Sequence, residues 1–201
     1  MTTREFRTLR FNFYNYINKN LEQSEIEVSI AEKVGPSIKR LEAVRSYIHI
    51  YHWIAIIKKM KNIEVLKVIA TRLIFPNDFN DPIDPGPESF KLNDADIPHL
   101  PSLKHVHLKD CSELLFKFLS KSSLQEISVS LKTESVLKNL LTSQPKIRKI
   151  HNIVPFNVCI FKNVCDLKHL VELDLDLSKT EFKVKIFKKQ ILIDYNYSLF
   201  F

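Results

Sequence analysis

Between residues 103 and 177 the chain sets apolar residues in one short pattern four times over. Leu103-x-x-Val106-x-Leu108, Leu124-x-x-Ile127-x-Val129, Ile147-x-x-Ile150 and Leu170-x-x-Leu173-x-Leu175 share it, and their first residues are 21, 23 and 23 positions apart. A near-constant period of this size marks a chain built by stacking one small unit, since a single unit cannot bury its apolar side alone.

The intervals repeat as well. Leu114/Leu115 with Phe118/Leu119, Val136/Leu137 with Leu140/Leu141, and Ile160/Phe161 with Val164/Cys165 put apolar residues at i, i+1, i+4 and i+5. That spacing makes one buried helical stripe. Period two in the short phrase and near 3.6 in the interval predicts a strand followed by a helix in every unit.

The chain resembles the leucine-rich-repeat family, in which L-x-x-L-x-L marks a strand on the inner wall of a horseshoe. Leu103-x-x-Val106-x-Leu108-x-x-Cys111 is the fullest match, with cysteine where the pattern takes Asn or Cys. The irregular helix-bearing repeats are most similar to the divergent ones of insect F-box leucine-rich-repeat proteins. The resemblance implies an α/β solenoid over residues 1–201, with about seven irregular repeats, parallel strands on the concave side and helices on the convex side.

Earlier stretches fit more loosely. Phe6-x-x-Leu9-x-Phe11 matches almost at the first residue, which leaves no room for the F-box that docks such proteins on a Skp-type adaptor. Asn18 to Val34 reads as a helix stopped by Gly35-Pro36, and Ile38-x-x-Leu41-x-Ala43 is the second phrase. Trp53, Ile54, Ile57 and Met60 form a helical face leading into Ile63-x-x-Leu66-x-Val68, the third. These steps are 32 and 25 residues, and the next, from Ile63 to Leu103, is 40. Its extra length lies in 75–101, where six prolines and five aspartates between Pro76 and Pro101 predict an inserted loop. Beyond Leu177, Phe182-x-Val184-x-Ile186 alternates as one more strand, and 178–201 reads as an atypical C-terminal segment or cap.

Two glycines, Gly35 and Gly86, are too few for a phosphate-cradling loop or a dinucleotide fingerprint. The three cysteines, Cys111, Cys159 and Cys165, form no C-x-x-C pair and read as reduced core residues of a cytoplasmic or nuclear protein. The N-terminus lacks the apolar stretch of a secretory signal, and the longest uncharged run, Tyr47 to Ile57, is too short to span a bilayer.

With first, fourth and sixth positions facing inward, the third, fifth and seventh positions project from the strands. These supply Arg40, Lys67, His105, His107, Lys109, Lys149 and His151, a mainly basic strip, and then Glu172, Asp174 and Asp176, an acidic end. Seven parallel strands about 4.8 Å apart spread them over roughly 30 Å, room for a folded partner's edge or an extended peptide. Such a field orients a partner of opposite pattern. Asn152 falls where an inward apolar residue belongs: either it bonds to backbone, or the register slips and Ile153 turns inward.

His105 and His107 share a strand face, yet the spacing arises easily by chance, and neither a metal nor any other cofactor is expected. No Ser-His-Asp order, H-E-x-x-H or G-x-S-x-G appears, so catalysis is not expected either. The expectation is a protein-binding domain which, through the resemblance, implies the substrate-recognition arm of a Skp-cullin-F-box ubiquitin ligase. A Skp-type adaptor would join only if further sequence supplied an F-box. The alternative is sequence-independent nucleic-acid binding through the basic strip, given a formal charge of +7.

Overall fold

In the computed structural model the described residues are 7–11, 21–74, 93, 97–130, 133–154, 158–175, 182–187 and 190–195. They form an α/β fold organised on a nine-stranded sheet. The strands are β1 (Thr8–Phe11), β2 (Arg40–Val44), β3 (Tyr47–His49), β4 (Val65–Ile69), β5 (Arg72–Ile74), β6 (His105–Lys109), β7 (Glu126–Ser130), β8 (Lys149–Val154), β9 (Glu172–Leu175), β10 (Phe182–Phe187) and β11 (Gln190–Tyr195). The helices are α1 (Leu21–Val34), α2 (Ile50–Lys59), α3 (Glu134–Ser143) and α4 (Val158–Cys165), with 3₁₀ helices at Gly35–Ser37 and Glu113–Leu119. Among the described residues no helix is long and apolar enough to cross a membrane.

The sheet order is β1-β2-β4-β6-β7-β8-β9-β10-β11, the order of the chain, with β3 and β5 paired in a small second sheet. The first seven strands are parallel, and β10 and β11 then close the row as an antiparallel hairpin. Parallel neighbours need a crossover, and crossovers are almost always right-handed. When strand order never reverses, that handedness sends every crossover to the same side. The inward residues of the strands accordingly merge with the buried faces of α2, α3 and α4 in one apolar cluster. An order without reversal also lacks the switch point at which doubly wound sheets bind ligands.

Each unit is closed by the same backbone contacts. The carbonyls of Arg7, Lys39, Glu64, Lys104, Gln125 and Arg148 each accept two consecutive N–H groups at the start of the next strand, at 2.7–3.1 Å. Before the strand, the N–H of the first apolar residue donates to the carbonyl three residues earlier in the units of Ile38, Ile63, Leu103, Ile147 and Leu170, at 3.1–3.3 Å. Leu124 is the exception. Its N–H donates to Gln144 Oε1 at 3.0 Å, while Gln144 Nε2 donates to the carbonyl of Leu119 at 3.1 Å. A buried side chain thus does in this unit what a backbone turn does in the others.

Leaving the strands, Arg45, Ala70 and Asp110 take φ of 49°, 48° and 49° at the same position of three successive units. A non-glycine residue there carries on the order of 1 kcal/mol of strain. The turn delivers Ser46 and Thr71 into full burial, where the Ser46 hydroxyl donates to the carbonyl of Val44 and that of Thr71 to those of Ala43 and Ile69. Cys111, half-buried, holds the corresponding place in the third unit. Gly35 is required for a different reason: a Cβ there would stand 2.8 Å from the Lys59 carbonyl, because the last turn of α2 lies directly against it.

Several expectations change. Leu114, Leu115, Phe118 and Leu119 are buried as the stripe predicts, but in a 3₁₀ rather than an α-helix. Phe161 and Cys165 are exposed, and on α1 Ala31 is buried while Ile30 faces solvent. Cys159 is exposed too, so neither α4 cysteine is a core residue. At Asn152 the register slips: its φ is 51°, it faces solvent, and Ile153 is buried, which removes Ile153 from the polar face. Asn tolerates this conformation better than most residues, and a one-residue bulge follows from it. Most of the 75–101 insertion, Asp176 and the chain from 196 onward lie outside the described residues. The 40-residue step nevertheless leaves β4 and β6 paired in full register.

Candidate functional site

Strand alternation puts a polar row on the face opposite the apolar cluster, and the parallel register aligns it across strands. One row runs Arg40, Val65, His105, Glu126, Lys149, Glu172, and the next Glu42, Lys67, His107, Ser128, His151, Asp174. Residues directly opposite in a sheet interact as pairs. The charges on this face are therefore decided two at a time.

At one end Glu42 is only 3% exposed. It accepts from Arg10 Nε at 2.6 Å and from Arg40 Nε at 2.7 Å, with a further contact from Arg10 Nη2. Burial pushes its pKa up, but the hydrogen bonds and charges of Arg40 and Arg10 outweigh this and hold the carboxyl below its usual range. Arg40, read as part of a binding strip, is thus committed to an internal ion pair.

Further along, Glu126 sits between two histidines. Its Oε2 is 3.1 Å from His105 Nδ1 and its Oε1 is 3.8 Å from His151 Nε2. Lys149 Nζ meets Glu172 Oε2 at 3.0 Å, and this hydrogen bond, followed by the charge of Glu172, raises the lysine's pKa. Exposed pairs of this kind orient side chains more than they stabilise a fold. Asp174 stands opposite Lys185 of β10 in the antiparallel register.

The sequence reading of a basic strip with an acidic end therefore needs correction. Glu42 and Glu126 interrupt the strip, and Glu172 is tied back to Lys149. What is left is central: Lys67 and His107, opposite each other on β4 and β6, with Lys109 two residues beyond His107 on the same face. Among the described residues no ion pair links these three to a carboxylate. Burial first, and then the charges of Lys67, Lys109 and Arg40, lower the pKa of His107.

Among the described residues no group of three His, Cys, Asp or Glu side chains is placed to hold a metal ion. The Cys111 thiol is pushed up to about 12 by burial and then by Asp110, so it stays protonated at neutral pH and is a poor nucleophile.

Sequence reasoning singled out Arg40, Lys67, His105, His107, Lys109, Lys149, His151, Glu172 and Asp174, and all nine stand on strands of one sheet. It overlooked the joining roles of Glu42 and Glu126, although both occupy outward positions of the same phrase. It also overlooked Ser46 and Thr71, each eight residues after the first apolar residue of its unit, as Cys111 is. No family model matches the chain, and no curated protein matches it.

Proposed function

We propose that this chain is a leucine-rich-repeat solenoid whose strand face is concave and binds a protein partner without catalysing a reaction. The observation that carries the reading is the strand order: seven parallel strands follow the chain without reversal, with their apolar residues on one side and an aligned polar array on the other. The series at the family's Asn/Cys position, with Ser46 and Thr71 buried and Cys111 half-buried, supports the same reading. On the resemblance to F-box leucine-rich-repeat proteins, the role is that of a substrate-recognition arm of a ubiquitin ligase, in the cytoplasm or nucleus. Nucleic-acid binding fits less well, because Glu42, Glu126 and Glu172 break up the cationic strip that a phosphate backbone would follow.

Photo-crosslinking separates the two faces. A benzophenone side chain is introduced at Ser128 on β7, and in a second variant at Lys138, exposed on α3. Irradiation in cell extract is expected to yield discrete protein adducts from position 128 and not from 138. Mass spectrometry then identifies the adduct, and co-recovery of a Skp-type adaptor would assign the ligase role. Adducts from 138 alone, or equally from both, would overturn the proposal.

A further inference from the structure

The strand-face reading leaves open what the partner must look like, and the pairing of charges narrows it. Along the described face, Arg10 and Arg40 are satisfied by Glu42, His105 and His151 by Glu126, and Lys149 by Glu172. On the seven parallel strands, Lys67, His107 and Lys109 are the basic side chains left over, and they are contiguous: Lys67 opposes His107, and Ile69 opposes Lys109. Val65 and Ile69, both half-buried, flank Lys67 on its own strand, and Val44 lies beside Ile69. The result is a small cationic spot set in apolar surface.

Resting on the reading of this face as the binding face, we propose that Lys67, His107 and Lys109 receive an extended acidic segment of the partner protein. Its carboxylates would meet the three cations, and its intervening apolar side chains would cover Val65 and Ile69. A carboxylate arriving there supplies the counter-charge that no described residue gives. Two lysines around a half-buried histidine favour its neutral form, and a bound anion reverses that balance.

His107 is faced by Lys67 from β4, by His105 and Lys109 on its own strand, by Glu126 and Ser128 on β7, by His151 on β8, and by Arg40 and Glu42 from β2. Glu42 and Glu126 are already engaged. Because the free protein holds His107 below its usual value, proton uptake accompanies anion binding, and affinity rises as pH falls through the window between the bound and free values. Protonation of the ligand's own carboxylates ends the rise at about pH 4.

The test uses the whole chain and a fluorescein-labelled peptide of alternating glutamate and valine, with the glutamine counterpart and an oligothymidylate as controls. Anisotropy titrations at about pH 6 and about pH 8 bracket the usual histidine range. The glutamate peptide is expected to bind several-fold more tightly at the lower pH. His107→Gln should flatten that difference, and Lys67→Ala with Lys109→Ala should weaken binding about tenfold or more, or about 1.4 kcal/mol. A His105→Gln/His151→Gln variant, which leaves the three cations in place, should keep the pH difference.

Equal binding of the glutamate and glutamine peptides, or a pH slope that survives His107→Gln, would overturn the proposal. Oligothymidylate bound as tightly as the peptide would do so in favour of nucleic acid. Adducts at position 128 that persist while the acidic peptide fails would sink this inference alone and leave the strand-face reading standing.

Discussion

Replacing Trp53 by alanine should lower the stability of the fold by about 3–5 kcal/mol, the range typical for truncating a buried tryptophan. The residue is 1% exposed at the inward side of α2, in the same apolar cluster as Ile38, Ile63 and Leu66. Removing it leaves a cavity between a helix and the strands of two units, which close packing allows to collapse only in part. Tyr51, two residues earlier on the helix, is 55% exposed, and Tyr51→Ala should change stability by no more than about 0.5 kcal/mol. Because Trp53 is the chain's one tryptophan, urea unfolding of both variants is followed by far-UV circular dichroism. Similar midpoints for the two would mean that α2 does not bury the face described.

Gln144 should be nearly as sensitive, although nothing in its type suggests a core role. It is 2% exposed and satisfies a donor and an acceptor of the neighbouring unit, the Leu124 N–H and the Leu119 carbonyl. In Gln144→Met the volume is kept and both backbone groups lose their partner. Each buried orphan costs about 1–3 kcal/mol, so a loss of about 2–6 kcal/mol is expected. Gln125→Met, an exposed glutamine before β7, is the control and should be close to neutral. Native-state hydrogen exchange gives the sharper reading: protection of the Leu124 amide should collapse in Gln144→Met. Unchanged protection would show that the side chain does not hold that turn.

These residues also mark how far the sequence could be read. In the units that begin at Ile38, Ile63, Leu103 and Leu124 all three inward residues of the phrase are buried, the two looser early units included, because period-two alternation on a one-sided sheet has only one way to bury itself. The stripes between phrases were less reliable. The unit from Leu103 to Leu124 is the shortest of the regular ones, at 21 residues, and it uses a 3₁₀ helix. A rise of about 2.0 Å per residue spans the same distance in fewer residues than an α-helix does. Of the stripe on the short α4, Ile160 and Val164 turn fully inward, while its outer members, Phe161 and Cys165, stay in solvent.

The charge pattern was harder still. Position within the phrase was readable, but the consequence depends on which carboxylate stands across from which cation. Lys149 and Glu172 share the third position of successive phrases, so their pairing was available from spacing alone. The burial of Glu42 beneath Arg10 and Arg40 was not, since it joins units separated by the irregular 32-residue step. Gln144 has no counterpart in the other units, and periodicity is silent about a residue that occurs once.

Pulsed electron–electron resonance tests strand order most directly. With Cys159 and Cys165 changed to serine, spin labels are placed at Lys67 and Asp174 in one variant and at Arg10 and Asp174 in another. The first pair lies four strand steps apart and the second six. At about 4.8 Å per step, backbone separations of about 19 Å and about 29 Å are expected, before label length is added. A longer distance from Arg10 than from Lys67 agrees with strands laid down one after another. Equal distances, or Arg10 closer to Asp174 than Lys67 is, would contradict it.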